Sequence, residues 1–347
     1  MSGAGLKNGH RRDQVKTKWL AIALVAALAA ASCVDSGKDK SPSPNAESGL
    51  HRIWAASKFG FINKTGEIVI SPQFDWADDF SDGLAMVRIG DRETGKWGYL
   101  DRTGKIVIDA QFDEGSAFSE GLAAVNIGDL RTSKWGYVDT TGKYMIDAQF
   151  DVAWPFSEGV ASVRIGDSET GEFGYIDKTG RYVIEAQFDA AWPFTDGLAQ
   201  VVVGRKHGYI DHTGKYVIYP KYDWAWHFSD GLACVKVGEY ETGKWGYIDK
   251  AGEYVISPRF YDACPFSDGL ASVREEAPRT VKWGYIDKTG DYAVSPQFDW
   301  AGDFSDGLAS VAVGRRSGLP PIGMSSELWY DTYGYIDKTG DFVWSSE

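Results

Sequence analysis

The chain has 347 residues, of which 43% are hydrophobic and 14% aromatic, and its formal net charge is −13. This hydrophobic content suffices for a large core and excludes disorder for the bulk of the chain. A surface so acidic, with no basic stripe, would repel phosphate backbones, so nucleic acid is not an expected partner. The 41 glycines and the scarcity of helix-period stretches predict many short strands joined by tight turns.

The first 32 residues have the organisation of an export signal, 1–32. Basic residues, among them Lys7, Arg11 and Lys18, precede an apolar run that is too short for a comfortable membrane span. Small residues end the run and Cys33 follows at once, an order that resembles the lipobox of bacterial lipoproteins, whose cysteine is acylated. We therefore expect export to the bacterial cell envelope, periplasmic or on the cell surface, with a membrane anchor on Cys33. Cleavage without lipidation is the alternative.

The next segment, residues 33–48, is polar, contains Ser and Pro, and has no apolar periodicity. It predicts a flexible tether between the anchor and a folded domain over residues 49–347. Loss of the first 32 residues, which hold five basic and one acidic residue, would bring the net charge to −17. With Cys33 acylated, only Cys234 and Cys264 remain, and the sequence leaves open whether they pair.

From residue 49 onward the sequence repeats, with most copies 38 residues apart. Each copy holds an aromatic residue or His before Gly, then an aromatic and an aliphatic residue and an Asp or Asn. These pairs begin at Phe59, Trp97, Trp135, Phe173, His207, Trp245, Trp283 and Tyr333. Each copy starts at a glycine, namely Gly49, Gly83, Gly121, Gly159, Gly197, Gly231, Gly269 and Gly307. A fixed period of this size indicates a repeat architecture of eight units.

One unit, taken from Gly121, reads as a three-stranded antiparallel meander. Residues 122–127, 134–138 and 143–146 are the predicted strands, and a turn containing Asp139 and Gly142 joins the last two. In the first strand, alternation places Ala123 on a core face and Asn126 on a solvent face. The remaining segment, 147–159, crosses to the next copy and leaves room for a fourth short strand.

The repeat resembles the bacterial WG, or KWG, repeat family through residues 283–290, WGYIDKTG, and residues 266–271, FSDGLA. The resemblance covers residues 49–347. It implies an interaction or envelope module, often exported, with no catalytic residues shared by the family.

The expected fold class is all-β, with eight units of about 38 residues in tandem. We favour an open, superhelical, solenoid-like array because the terminal units are atypical, as the caps of such an array must be. In the first unit His51 and Arg52 replace the apolar residues with which other units begin, and an insertion at 316–332 interrupts the last. A β-propeller of seven or eight blades is the alternative.

No catalytic motif stands out, so we predict a protein that is not an enzyme and has no cofactor. Acids recur in each unit, as at Asp75, Asp82 and Asp101, but their turn contexts favour structural roles over calcium binding. The spacing of His207, His212 and His227 matches no zinc motif, so no metal site is predicted.

The most suggestive positions are tryptophans that vary between copies and so are expected to face outward. One set occupies the same place in three consecutive units: Trp154, Trp192 and Trp226. A second set stands two residues earlier in the pattern: Trp76, Trp224 and Trp300. Flat indoles stack on sugar rings and anchor protein interfaces, although these rings could instead wedge between neighbouring units.

The sequence thus predicts a binding or scaffold module for a protein or an envelope glycan, such as peptidoglycan or another polysaccharide, that would be bound through these six residues. A passive structural spacer is the competing hypothesis, and a glycan hydrolase is a more distant one.

Overall fold

The structure, a computed structural model, describes residues 49–128, 133–167, 170–239, 241–275, 282–315 and 330–345. The predicted export signal, Cys33 and the tether lie outside these residues, as does most of the insertion at 316–332. The described part of the chain consists of strands and connections, and none of its segments is a helix long and apolar enough to cross a membrane. The chain divides into two compact units, and the boundary follows Pro258.

The strands form small antiparallel sheets that follow one another along the chain. Sheet 1 has three strands: β1 (Leu50–Ala55), β2 (Lys58–Asn63) and β3 (Ile68–Phe74). Sheet 2 has four: β4 (Trp76–Ser81), β5 (Leu84–Ile89), β6 (Lys96–Asp101) and β7 (Ile106–Phe112). Sheet 3 has four: β8 (Glu114–Gly115), β9 (Leu122–Asn126), β10 (Trp135–Asp139) and β11 (Tyr144–Phe150). Sheet 4 has four: β12 (Val152–Ala153), β13 (Val160–Ile165), β14 (Glu172–Asp177) and β15 (Tyr182–Phe188).

The later sheets repeat this order. Sheet 5 has β16 (Ala190–Thr195), β17 (Leu198–Val203), β18 (Lys206–Ile210) and β19 (Tyr216–Tyr222). Sheet 6 has β20 (Trp224–Ala225), β21 (Ala233–Val237), β22 (Lys244–Ile248) and β23 (Tyr254–Phe260). Sheet 7 has β24 (Asp262–Ala263), β25 (Ala271–Arg274), β26 (Trp283–Ile286) and β27 (Tyr292–Phe298). Sheet 8 has β28 (Trp300–Ser305), β29 (Leu308–Arg315), β30 (Tyr330–Ile336) and β31 (Phe342–Ser345).

A fourth strand lies in the segment that crosses between copies. Within residues 147–159, β12 pairs with the first long strand of the following copy, so that Val152 faces Arg164. The three-stranded meander predicted for each unit is therefore correct. It makes up the whole of sheet 1, whereas every later sheet adds a fourth strand from the preceding copy. Small four-stranded meanders that follow one another in this way are propeller blades. The alternative, an eight-bladed β-propeller, is therefore supported rather than the open, solenoid-like array favoured from the sequence, since atypical terminal units do not by themselves require an open array.

The predicted solvent face of each first meander strand is also wrong. Both faces of the sheet are covered, because Ala123 and Val125 pack with side chains of sheet 2 whereas Ala124 packs with side chains of sheet 4. Asn126 is accordingly buried, and Ile127, which alternation places on the same face as Ala123, is 51% exposed just after the strand. Alternation distinguishes two faces, but it does not show that a second sheet covers the polar one.

Cys234 and Cys264 do not form a disulfide with each other. Cys234 keeps its thiol and is fully buried in β21.

Candidate aromatic binding site

A row of three side chains crosses one end of each four-stranded sheet. In sheet 2 the strand register aligns Trp76 on the first strand, Arg88 on the second and Trp97 on the third. The Arg88 guanidinium lies 5.5 Å from the centroid of the Trp97 ring. The same contact recurs at Arg164 on Phe173 (5.4 Å), Lys236 on Trp245 (5.7 Å) and Arg274 on Trp283 (5.2 Å). In these four sheets the aromatic residue of the repeat is thus a platform that carries a cation, whereas its register partner in sheets 3, 5 and 8 is uncharged.

The glycine after this aromatic residue is required by a close approach of the neighbouring strand. A Cβ at Gly98 would lie 2.6 Å from the carbonyl oxygen of Ile108 and 2.7 Å from the nitrogen of Ala110. At this point the register between β6 and β7 shifts. The aromatic-glycine pair therefore fixes where the platform ring stands on the sheet.

The aspartate that follows the recurring Phe joins two sheets. Asp75 accepts a hydrogen bond from Lys58 Nζ at 2.6 Å, and its other oxygen accepts one from the Gly90 amide at 2.9 Å. These bonds, the Lys58 bond foremost, lower the pKa of Asp75. Lys134 with Asp151 and Lys206 with Asp223 repeat the ion pair. This carboxylate is thus committed to holding the fold.

The other recurring acids also serve the backbone. Asp101 accepts hydrogen bonds from Thr103 and Lys105 within its turn. Asp82 accepts one from the Gly121 amide of the next sheet at 2.7 Å. These contacts agree with the structural reading of the acids. In the described ranges, no group of three or more His, Cys, Asp or Glu residues is placed to hold a metal ion.

The first set of predicted tryptophans is positioned by buried tyrosines. The hydroxyl of Tyr137 donates to the carbonyl of Trp154 at 2.7 Å, Tyr175 donates to that of Trp192 at 2.8 Å, and Tyr209 donates to that of Trp226 at 2.7 Å. Each bond joins consecutive sheets and fixes the backbone of the tryptophan. The Trp154 side chain is 38% exposed, whereas Trp192 and Trp226 are half-buried. That the three bind a ligand stays a prediction.

The tryptophans of the second set, Trp76, Trp224 and Trp300, are partly exposed, and the first two pack against neighbouring rings. Trp76 is 41% exposed, yet its ring lies 5.3 Å from that of Phe59 in the preceding sheet. Trp224 lies 5.1 Å from the ring of His207 in the same relation. Trp300 is half-buried. The Trp76 and Trp224 indoles therefore pack against the platform rings of the sheets before them, and Trp76 retains an open side.

The histidines have separate roles. His207 replaces the platform ring of sheet 5, where its Nδ1 lies 2.7 Å from Gln200 Nε2 and its ring lies between Trp192 and Trp224. Burial lowers the pKa of His207 to about 4, so the imidazole is neutral at physiological pH. His212 instead stacks on Phe194 and pairs with Glu158. Both rings are therefore engaged in the repeat, as expected for substituted repeat positions.

Sequence reasoning missed a cavity between sheets 2 and 3. It has a volume of about 600 Å³, and its lining includes Arg88, Trp97, Glu114, Gly115 and Trp135. The signal was in the sequence: Glu114-Gly115 stands where Trp76-Ala77, Trp224-Ala225 and Trp300-Ala301 stand in other copies. This substitution could not be interpreted from the sequence, because only the structure shows that Trp76 and Trp224 at this position meet the platform ring of the preceding sheet.

The sheets, their order and these contacts between consecutive sheets define a β-propeller built from sequence repeats. The family model of the WG containing repeat matches the chain seven times, over residues 59–92, 97–130, 135–167, 173–206, 208–240, 245–276 and 283–315. These segments make up well over half of the chain, which therefore belongs to the WG containing repeat family. Most matched segments begin near the third strand of one sheet and end after the second strand of the next, so the sequence repeat and the sheet are out of phase.

Solved structures resemble the chain in fold alone. A structure described as the eukaryotic initiation factor shares 12% identity at a TM-score of 0.59, with 86% of this chain and 85% of that chain covered. The β-propeller domain of the Trilobed protease from Pyrococcus furiosus shares 11% identity at a TM-score of 0.40, with 70% and 91% covered. No curated protein sequence matches the chain.

Proposed function

We propose that the protein is an exported, non-enzymatic binding module, anchored to the membrane of the bacterial envelope through Cys33, whose partner is an envelope glycan or a protein of the envelope. The observation that carries this proposal is the exposure of two indoles: Trp76, on the first strand of sheet 2, is 41% exposed, and Trp154, directly after the first strand of sheet 4, is 38% exposed. Indoles left open to water on a rigid scaffold gain free energy when a partner covers them.

The chemistry around these indoles supports binding rather than catalysis. The aspartates Asp75, Asp101 and Asp113 have lowered pKa values, each because hydrogen bonds stabilise the carboxylate. A glycosidase needs a carboxylic acid with a raised pKa to protonate its leaving group. An indole, by contrast, needs no partner with a shifted pKa to stack on the C–H face of a sugar ring. Several such weak contacts on one chain add to useful avidity.

The experiment is co-sedimentation of the purified full chain with cell-wall sacculi. A double variant, Trp76→Ala with Trp154→Ala, is compared with the control Trp54→Ala, which removes an indole that is 66% exposed but lies outside both sets. We expect the parent and the control to pellet and the double variant to stay in the supernatant while keeping its circular dichroism spectrum. A parent that does not pellet argues against sacculi and directs the search to protein partners by cross-linking.

The anchor is tested separately. Cells expressing the parent or Cys33→Ser are labelled with radioactive fatty acid, and we expect the label to appear only on the parent. An unlabelled parent contradicts lipidation while leaving the binding proposal intact.

The spacer hypothesis has one specific observation in its favour, the packing of Trp76 on Phe59 and of Trp224 on His207. If these rings only fill the space between neighbouring sheets, then Trp76→Ala lowers thermal stability and leaves binding unchanged. The same co-sedimentation assay, run beside a melting curve for each variant, separates the two hypotheses.

A further inference from the structure

Sheet 3 is one of the sheets that lack the indole that meets the platform ring of the preceding sheet. Trp76 and Trp224 place their rings 5.3 Å and 5.1 Å from the platform rings of the preceding sheets. In sheet 3 the same position is Glu114, so this position offers Trp97 a carboxylate instead of an indole, and Trp135 of the same sheet lines the cavity beside them. The space that an indole takes elsewhere contributes here to a cavity of about 600 Å³.

Other sheets without this indole compensate in ways that sheet 3 does not. Val152 and Ala190 pack beside the apolar cluster that contains Phe173. Asp262 accepts a hydrogen bond at 2.5 Å from Arg274, its register partner on the next strand. Glu114 has Asn126 in that register position, which brings no cation to it. The carboxylate of Glu114 therefore lines an open cavity next to an aromatic platform.

The charges of the cavity balance. Two guanidinium groups, of Arg88 and Arg92, and two carboxylates, of Glu93 and Glu114, line it. Asp113 also lines it, but its carboxylate is already engaged by Lys96 and by the Gly128 amide. A ligand with a large net charge would be opposed by one pair of these groups. A neutral ligand rich in hydroxyls can donate to the carboxylates and accept from the guanidinium groups.

We propose that this cavity binds a neutral saccharide, with one pyranose ring lying on Trp97 in place of the missing indole and its hydroxyls bonded to Glu114, Glu93, Arg88 and Arg92. A volume of about 600 Å³ lies within the range of small-molecule sites, roughly 300–1,000 Å³, and accommodates a short oligosaccharide. The assignment deepens the proposed function and rests on it for the class of ligand. Its site, however, is distinct from the exposed Trp76 and Trp154.

The test is isothermal titration of the full chain with three neutral trisaccharides: the N-acetylglucosamine trimer, cellotriose and maltotriose. The informative variant is Glu114→Trp, which restores the residue found at this position in three other sheets and so suits the fold. Glu114→Gln keeps the volume and removes the charge, and Arg102→Trp adds an indole to an exposed turn at the opposite end of β6 as a control.

We expect at least one trisaccharide to bind with a Kd in the millimolar range or below. Glu114→Trp should weaken that binding at least tenfold, Glu114→Gln several-fold, and Arg102→Trp not at all. If Glu114→Trp does not fold, Trp97→Leu removes the platform instead and should give the same loss. Absence of binding for all three sugars, or parent affinity in both Glu114→Trp and Trp97→Leu, overturns the assignment.

The two proposals fail differently. If sacculi retain the parent through Trp76 and Trp154 while no trisaccharide binds, the cavity assignment is wrong and the proposed function stands. If a trisaccharide binds and Glu114→Trp abolishes its binding while sacculi do not pellet the parent, the cavity assignment stands and the sacculus is not the partner.

Discussion

Replacing Tyr137 by Phe tests whether the hydroxyl bonds between sheets stabilise the fold. Tyr137 is fully buried, and its hydroxyl donates to the Trp154 carbonyl of the next sheet at 2.7 Å. The substitution removes one oxygen and leaves the ring in place. Phe61 already occupies the equivalent position of sheet 1, so the repeat accepts a phenyl ring there.

The expected cost follows from the lost bond and the carbonyl left behind. A hydrogen bond contributes about 0.5–1.5 kcal/mol net, and an acceptor that is left unsatisfied in a buried site adds to the loss. We therefore expect Tyr137→Phe to lower the free energy of unfolding by about 1–2 kcal/mol. The bond also holds the Trp154 backbone, so binding that depends on Trp154 should weaken in the same variant.

The assay is urea unfolding followed by circular dichroism, with Tyr219→Phe as the matched control. Tyr219 is 72% exposed, and loss of its hydroxyl should change stability by less than about 0.5 kcal/mol. Tyr175→Phe, which breaks the equivalent bond one sheet later, should reproduce the effect of Tyr137→Phe. If Tyr137→Phe and Tyr175→Phe are as stable as Tyr219→Phe, the hydroxyl bonds do not hold the sheets together.

Three further outcomes follow from the same contacts. Burial raises the pKa of Tyr137 and Tyr175 above the ordinary 10.0, so these tyrosines favour folding below about pH 10 and this stability is lost as the pH rises further; urea midpoints that stay constant from pH 8 to 11 would contradict this. Gly98→Ala should cost about 1–3 kcal/mol or more, because its Cβ meets the β7 backbone, and an unchanged melting temperature would refute the close approach. Lys58→Met removes the main cause of the lowered pKa of Asp75, so the variant should be less stable than the parent by under about 1 kcal/mol at pH 7. The difference in stability should shrink as the pH falls below 3.8, and paired urea titrations at pH 7 and pH 3 measure it.

The repeat and its meander could be predicted because they are encoded locally. Alternation over residues 122–127 and the turn around Gly142 are properties of a few neighbouring residues, and the period multiplies the signal by eight copies. β12 gave no such signal, since a two-residue strand has no period of its own. β12 is a strand because it pairs with the following copy, and the sequence gives no sign of this pairing.

The exposure of the tryptophans could not be predicted from the sequence either, because it too depends on contacts between copies. Variation between copies predicts an outward position, yet Trp224 is half-buried and its ring lies 5.1 Å from that of His207 in the preceding sheet. The partner of each first-strand residue lies in the preceding sheet, so a variable position can be an internal contact that changes together with its neighbour. Trp76, by contrast, varies and stays open to water.

The same pairing of positions explains why Glu114 is informative. The contacts made in nearly every copy, such as the bond of Tyr137 to the next sheet and the ion pair of Lys134 with Asp151, leave those residues no freedom for a ligand. Ligand chemistry on such a scaffold has to use the positions that differ, and it gains most where one partner of a packed pair is replaced and the other is kept. Trp97 keeps its place as a platform while Glu114 has replaced the ring that would cover it. A repeat protein can therefore form a binding site where one member of a recurring packed pair is replaced and the other is kept.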